Sequence, residues 1–200
     1  MASPIEFFFD FSSPYSYLAS EQIESLAARF GRSVDFRPTL LGAVFRVSGQ
    51  RPLTEIPLKG DYSRLDFARS ARFASVPFQM PEPFPVATVQ AARACLVLEQ
   101  ERPDLKVPFV HATFRAYFVQ GQNIAQTQVL HQVLEQCGAN AHAVLEATER
   151  PQIKDLLKAE VDASVARGVF GAPFIFVDGE PFWGNDRLPQ IERWLASGPF

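Results

Sequence analysis

Sulfur is scarce in this 200-residue chain, with two cysteines and two methionines. Cys95 and Cys137 form no C-x-x-C pair, which excludes a dithiol redox centre of the chain's own and a zinc ribbon; both are expected to be buried structural thiols. Histidine is scarcer than the chain length would allow: His111, His131 and His142 have no ligand spacing among themselves or with the cysteines, so no metal site is expected. Charge of one sign is also lacking. Lys and Arg number 19 against 22 Asp and Glu, for a net charge of −3 and no long run of either sign. Nucleic acid is therefore excluded, since phosphate neutralisation needs a basic face. No apolar run reaches the roughly 20 residues that span a bilayer. Met-Ala-Ser-Pro opens the chain with neither a basic n-region nor an h-region, so the expectation is a cytoplasmic protein rather than a secreted one. A G-x-S-x-G nucleophile elbow is missing, which with so few histidines disfavours a serine hydrolase.

What is abundant is phenylalanine, 19 residues in a chain that is 47% hydrophobic, which points to a broad apolar interior or pocket. Ile5–Phe11 reads as a buried strand. Ser13 and Pro14 suit the cap and first position of a helix whose apolar face runs through Leu18, Ala19, Ile23, Leu26 and Phe30 to a stop at Gly31. A second strand follows at Ser33–Arg37, so the unit is βαβ and the two strands should be parallel. Residues 40–60 read as loop with short helical pieces. Helices are then expected at Asp61–Ser75, Val86–Glu101 and 104–119, around Leu130–Cys137, after an Asn140 cap, and along Ile153–Val165. Met80–Pro85 carries three prolines and must be extended. Phe174–Val177 and Glu180–Trp183, joined by Asp178-Gly179, form a hairpin, and Asn185 or Asp186 should cap a last helix.

A strand that runs into X-Pro-X-X at a helix N-terminus, with a late Gly-Ala-Pro before a hairpin, is the frame of a thioredoxin-like fold. The expected class is α/β: a thioredoxin-like domain made of residues 1–39 and 166–200, interrupted by an all-helical insertion at 40–165. In that frame the active slots normally read Cys-Pro-X-Cys. Here they read Ser13-Pro14-Tyr15-Ser16. Both thiols are gone, so any sulfur chemistry needs a sulfur from outside, most plainly glutathione. Ser13 alone reads more readily as a plain helix cap. Its hydroxyl, the free N–H groups of the first turn and the positive end of the helix dipole would nonetheless favour a thiolate. Ala172-Pro173 is expected to be cis, with the backbone before it turned toward a peptide-like ligand. Trp183, Asn185 and Asp186 read either as a core residue and a cap, or as groups that hold the charged end of a γ-glutamyl moiety.

Three segments, Phe9–Ala19, Phe170–Pro173 and Trp183–Leu188, resemble the 2-hydroxychromene-2-carboxylate isomerase family and, more broadly, the kappa-class glutathione transferases and their disulfide-oxidoreductase-like relatives. The resemblance implies a glutathione-dependent, homodimeric enzyme. By that resemblance Ser13 holds the glutathione sulfur, Ala172 beside Pro173 pairs with the tripeptide backbone, and Asn185 and Asp186 hold the γ-glutamyl end. Lys59 would face glutathione, and Gln50 stands where relatives often carry Asn. The family has a polar stretch after the proline-rich connection, whereas Pro83-Phe84-Pro85-Val86 is apolar here.

The leading expectation is isomerisation of an aromatic unsaturated acid, of the 2-hydroxychromene-2-carboxylate to trans-o-hydroxybenzylidenepyruvate type. Phe45 and Phe84 are expected to wall the acceptor pocket, with Arg51 or Lys59 meeting a carboxylate. A kappa-type transferase or peroxidase, and a non-enzymatic binding module on the same fold, are the alternatives.

Overall fold

The computed structural model describes residues 3–200. Strand β1 (Ile5–Phe9) leads through a four-residue turn into helix α1 (Pro14–Arg29), and β2 (Val34–Pro38) follows. Then come α2 (Leu41–Ser48), a 3-10 turn (Leu53–Glu55), α3 (Lys59–Ala74), α4 (Val89–Glu101), α5 (Pro103–Phe118), α6 (Thr127–Gln136), α7 (Ala141–Ala147) and α8 (Pro151–Ala166). The chain closes with β3 (Phe174–Val177), β4 (Glu180–Trp183), a 3-10 turn (Asn185–Arg187) and α9 (Leu188–Ser197). Among the described residues no strand lies between β2 and β3.

The sheet order is β2-β1-β3-β4, with β1 parallel to β2 and antiparallel to β3, and β3 antiparallel to β4. Strand alternation sorts the side chains. Ile5, Phe7 and Phe9 of β1, with Ile175 and Val177 of β3, face a large core shared with α1, α4 and α5. Phe8, Phe174 and Phe176 make a smaller cluster with Val169. Arg167 caps that cluster, its guanidinium 4.3 Å from the Phe176 ring centre, while it also pairs with Glu6 at 2.6 Å. The phenylalanines of the large core pack mainly edge to face: Phe9 meets Phe11 at 5.0 Å and Phe7 meets Phe36 at 5.3 Å. This single apolar cluster spans both the strands and the helices between them.

Several boundaries differ from the sequence expectation. β1 stops at Phe9 because Asp10 turns the chain. Residues 41–48 form a full helix where mostly loop was expected; its N-terminal amide finds a carboxylate 31 positions upstream, a partner that local periodicity does not reveal. α4 begins at Val89 rather than Val86, since Thr88 is the cap and Val86 belongs to a cavity wall. Neither Asn185 nor Asp186 caps α9: they form the 3-10 turn before it, and Pro189 sits in the first helical turn. Asn140 caps α7 as expected, accepting the Ala143 N–H at 3.2 Å.

Candidate active site

The register brings one end of every strand to the same edge of the sheet. Phe9 of β1 stands beside Pro38 of β2, Phe8 beside Phe174 at the start of β3, and Phe174 beside Trp183 at the end of β4. The segments that leave or enter these ends, Asp10–Tyr15, Leu40–Leu41, Gly171–Pro173 and Trp183–Arg187, therefore converge. They line a cavity of about 1100 Å³, closed on its other side by α2, α3 and the segment Phe84–Val89.

Ser13 is the cap of α1, and its Oγ accepts the Ser16 N–H at 3.1 Å. The same hydroxyl donates its proton to the Ala172 carbonyl at 3.0 Å. Ala172-Pro173 is a cis peptide. In the first turn of α1, Ser13 N–H goes to the Asp10 carbonyl at 2.9 Å, Tyr17 N–H to the Ser13 carbonyl at 3.1 Å, and Pro14 has no N–H. Tyr15 N–H is thus left without a protein acceptor among the described residues. It is the free donor at the positive end of a 16-residue helix, which is where an anion is favoured. Ser16 stands where the second cysteine of a dithiol would be; its hydroxyl is buried and has no partner among the described residues.

Trp183 is 49% exposed and forms one rim, its ring edge-on to Phe170 at 4.9 Å. It fits because residue 171 is glycine: a Cβ there would lie 2.6 Å from the indole nitrogen. Gly184, with φ +110°, extends the pairing by donating to the Pro173 carbonyl at 3.1 Å. Its conformation is one that L residues rarely adopt.

Of the residues expected at the site, Ser13, Gln50, Ala172, Pro173, Trp183, Asn185 and Asp186 all line this cavity, as do Phe45, Arg51 and Phe84 of the expected acceptor wall. Lys59 does not. It opens α3 with an exposed side chain outside the lining. Only the family resemblance pointed Lys59 toward glutathione; here it directly follows Leu58, which takes φ +67°.

Other lining residues were not singled out beforehand. Asp10 is 3% exposed and accepts four hydrogen bonds: from Ser12 N–H (2.8 Å), Ser12 Oγ (3.1 Å), Thr88 Oγ1 (3.0 Å) and Leu41 N–H (2.7 Å). Burial pushes its carboxyl above the usual range, against the opposing pull of those donors. Tyr15 donates to Asp66 at 2.6 Å; burial and that carboxylate raise its hydroxyl well above the ordinary tyrosine value, so it stays a donor. Arg187 pairs with Asp186 at 3.1 Å. Arg46 and Arg51 have no carboxylate partner among the described residues, which leaves the α2 rim cationic. Leu40, Phe67, Phe84 and Val86 make the lining apolar elsewhere. Neither cysteine lines the cavity; burial pushes the Cys95 thiol up to about 12 and raises Cys137 as well.

The chain is similar to known proteins over nearly its whole length. The profile of the DSBA-like thioredoxin domain matches residues 4–196. A 2-hydroxychromene-2-carboxylate isomerase from Sphingobium xenophagum is 30% identical over 98% of this chain and 99% of its own length. Glutathione S-transferase kappa 1 from Caenorhabditis elegans is 28% identical, over 96% of this chain and 90% of the relative. A solved structure of a 2-hydroxychromene-2-carboxylate isomerase superposes with a TM-score of 0.87 at 24% identity, covering 96% of this chain and 94% of the other. The pairing of a serine-capped α1 with a cis-proline turn thus sits on a known scaffold, and the chain belongs to the DSBA-like thioredoxin domain family, with 2-hydroxychromene-2-carboxylate isomerases and kappa-class glutathione transferases among its relatives.

Proposed function

We propose that this chain is a glutathione-dependent isomerase of an aromatic unsaturated acid, of the 2-hydroxychromene-2-carboxylate to trans-o-hydroxybenzylidenepyruvate type, serving aromatic catabolism. One observation carries the reading. The first turn of α1 offers a free Tyr15 N–H beside the Ser13 hydroxyl, while both of the chain's thiols are remote and held protonated. The site is built for a thiolate that the chain cannot supply.

The residues present fit glutathione. Tyr15 N–H is an unpaired donor, the Ala172-Pro173 turn borders an open slot, and Asn185 and Asp186 lie on the same rim as Trp183. When bound, glutathione supplies a sulfur nucleophile that adds to a conjugated carbon and leaves again, so it is conserved overall. Ser13 and Tyr15 N–H stabilise the negative charge on that sulfur. Asn185 and Asp186 hold the charged γ-glutamyl end, and Gln50 holds the tripeptide from the opposite side. Phe45, Phe67 and Phe84 receive a flat ring and exclude water from it. Arg51, with Arg46, orients a carboxylate at the α2 rim.

The chain acts as a homodimer in this reading, and α3 supports that. Tyr62, Leu65 and Phe73 fall on one helical face around Arg69 and are 59%, 64% and 93% exposed, and Leu58, just before the helix, is 90% exposed. An apolar stripe of that size on a helix marks a contact surface.

A kappa-type transferase or peroxidase is the second reading. It is favoured by the apolar Phe84-Pro85-Val86 wall, which asks for no polar acceptor group. One assay separates the two: glutathione and a panel of aromatic enones and hydroxychromene acids, followed by both absorbance and free thiol. Isomerisation changes the spectrum and conserves thiol; transfer consumes it. No change in either defeats both.

A further inference from the structure

Asp10 is a buried charge that the proposed chemistry does not use. Removing a carboxylate from water costs several kcal/mol unless it is well paired, and no cation stands among its hydrogen-bond partners. Its four donors come from three separate parts of the cavity wall. Ser12 gives two from the β1–α1 turn, Leu41 gives the first helical amide of α2, and Thr88 gives its hydroxyl from the residue that precedes α4. The Leu41 contact places negative charge at a helix N-terminus, where it is favoured. All of these donors, and Asp10 itself, border the cavity. Asp10 also holds the next amide with its main chain, since its carbonyl accepts Ser13 N–H at 2.9 Å.

A general-base role does not fit. Oδ1 already takes three donors and Oδ2 one, and the residue is 3% exposed. The contacts describe a clamp instead. Two consecutive amides of the turn, Ser12 and Ser13, are consumed by Asp10, and Ser16 N–H by Ser13. That leaves Tyr15 N–H free and fixes the backbone from which the Ser13 hydroxyl projects. The same carboxylate ties this turn to α2, which carries Phe45 and Arg46, and to Thr88, which follows the Phe84–Val86 wall.

We propose that Asp10 is a positioning residue that sets the Ser12–Ser13 turn against α2 and Thr88, and so holds the sulfur-binding and acceptor-binding halves of the cavity in register. The inference rests on the reading that an external thiol binds at α1. Asparagine is the informative replacement, for it keeps the shape while its amide nitrogen must oppose a donor, Leu41 N–H in the orientation that preserves the other three contacts.

The test measures glutathione affinity by calorimetry, the ultraviolet absorbance of the bound thiolate at fixed pH, and KM and kcat for the acceptor, in wild type, Asp10→Asn and Thr88→Val. The expected result is a folded Asp10→Asn protein with a smaller bound-thiolate signal, a raised acceptor KM and turnover down about ten- to hundredfold, as for loss of hydrogen bonds to a charged group. Thr88→Val, which removes one donor from the same oxygen, should shift the same readouts in the same direction by about two- to tenfold. A folded Asp10→Asn with unchanged thiolate signal and acceptor KM overturns the inference, even if its melting temperature falls. Should Asp10→Asn not fold, Thr88→Val decides alone, and wild-type values there overturn it equally. Wild-type protein that binds no glutathione overturns the underlying reading of the site, and this inference with it.

Discussion

The Ser13 hydroxyl donates to the Ala172 carbonyl at 3.0 Å, joining two residues 159 positions apart. The contact locks the start of α1 to the turn before β3. A hydroxyl has one proton, so in the proposed reaction Ser13 would have to turn from Ala172 to donate to a bound anion, while its oxygen keeps the Ser16 N–H. Ser13→Ala should therefore retain most glutathione binding yet raise the pKa of the bound thiol and lower turnover about ten- to hundredfold, since hydrogen bonds to charged groups are worth ~1.5–3 kcal/mol. Loss of the helix cap should cost about 1 kcal/mol of stability as well. Thiolate titration and steady-state kinetics check this; an unchanged rate removes Ser13 as the partner of the sulfur.

Lys59 lies outside the cavity, and Arg51 lies in its lining. Lys59→Ala should leave glutathione affinity within about twofold, as expected for an exposed charge. Arg51→Ala should raise KM for a carboxylate acceptor while sparing a neutral enone. Equal effects of Arg51→Ala on acid and neutral acceptors would defeat carboxylate recognition there.

Neither cysteine should matter for chemistry. The Cys95→Ser, Cys137→Ser double variant is expected to keep its activity with added glutathione. It should also melt earlier, because a serine hydroxyl at the fully buried position 95 is costly, by about 1–3 kcal/mol if left without a partner. Activity lost in a folded variant that still binds glutathione would contradict this.

His111 ties α5 to α1 through Glu24 at 2.6 Å and Glu21 at 3.7 Å. Burial opposes its protonation, but the two glutamates outweigh burial and lift its pKa above 6.5. Burial likewise opposes ionisation of Glu21, and His111 and Arg115 outweigh it, bringing Glu21 down to about 2. A raised histidine stabilises the fold below its unfolded pKa and loses that contribution as pH rises through the folded value. A lowered glutamate contributes above its unfolded pKa, 4.5, and loses it as pH falls toward 2. The stability deficit of His111→Gln should therefore be largest between pH 4.5 and 6.5 and shrink on the alkaline side. Melting curves across that range test it; a deficit that grows with pH would refute the assignment.

The α3 stripe makes a separate forecast about assembly. Wild type should sediment as a dimer, and Leu65→Arg with Phe73→Glu should sediment as a monomer. Both side chains are on the face opposite the buried Phe67, so folding should survive. A wild type that is monomeric across concentrations ends the idea.

The parts of the fold that were readable in advance have local causes. Ser13-Pro14 starts α1, Asp178-Gly179 turns the hairpin, and Asn140 caps α7, each within a few residues. The cavity lining was readable where motif residues sit at or just beyond strand ends, as Ser13, Pro173 and Trp183 do. Asp10 was not, because its partners Leu41 and Thr88 are 31 and 78 positions away and nothing in the spacing marks them. Arg46 was hidden for a related reason: residues 40–60 show weak periodicity, and only the assembled α2 brings that side chain to the cavity. Lys59 rested on the family resemblance alone, with no spacing or periodicity behind it, and it lies outside the cavity lining.

The sheet order places β1 and β3 side by side at the centre, so the two halves of the polar end hang from neighbouring strands while the chain between them is entirely helical among the described residues. Those helices are not slack, for Leu98, Phe109 and Phe114 share one core with β1. The Ser13–Ala172 contact nonetheless rests on the direct pairing of β1 with β3, so side-chain changes on the cavity side of the helices can leave its spacing untouched. A scaffold of this kind can vary the helical wall of its cavity without rebuilding the turn that joins Ser13 to Ala172, so under the proposed function substrate range is free to drift faster than the chemistry it serves.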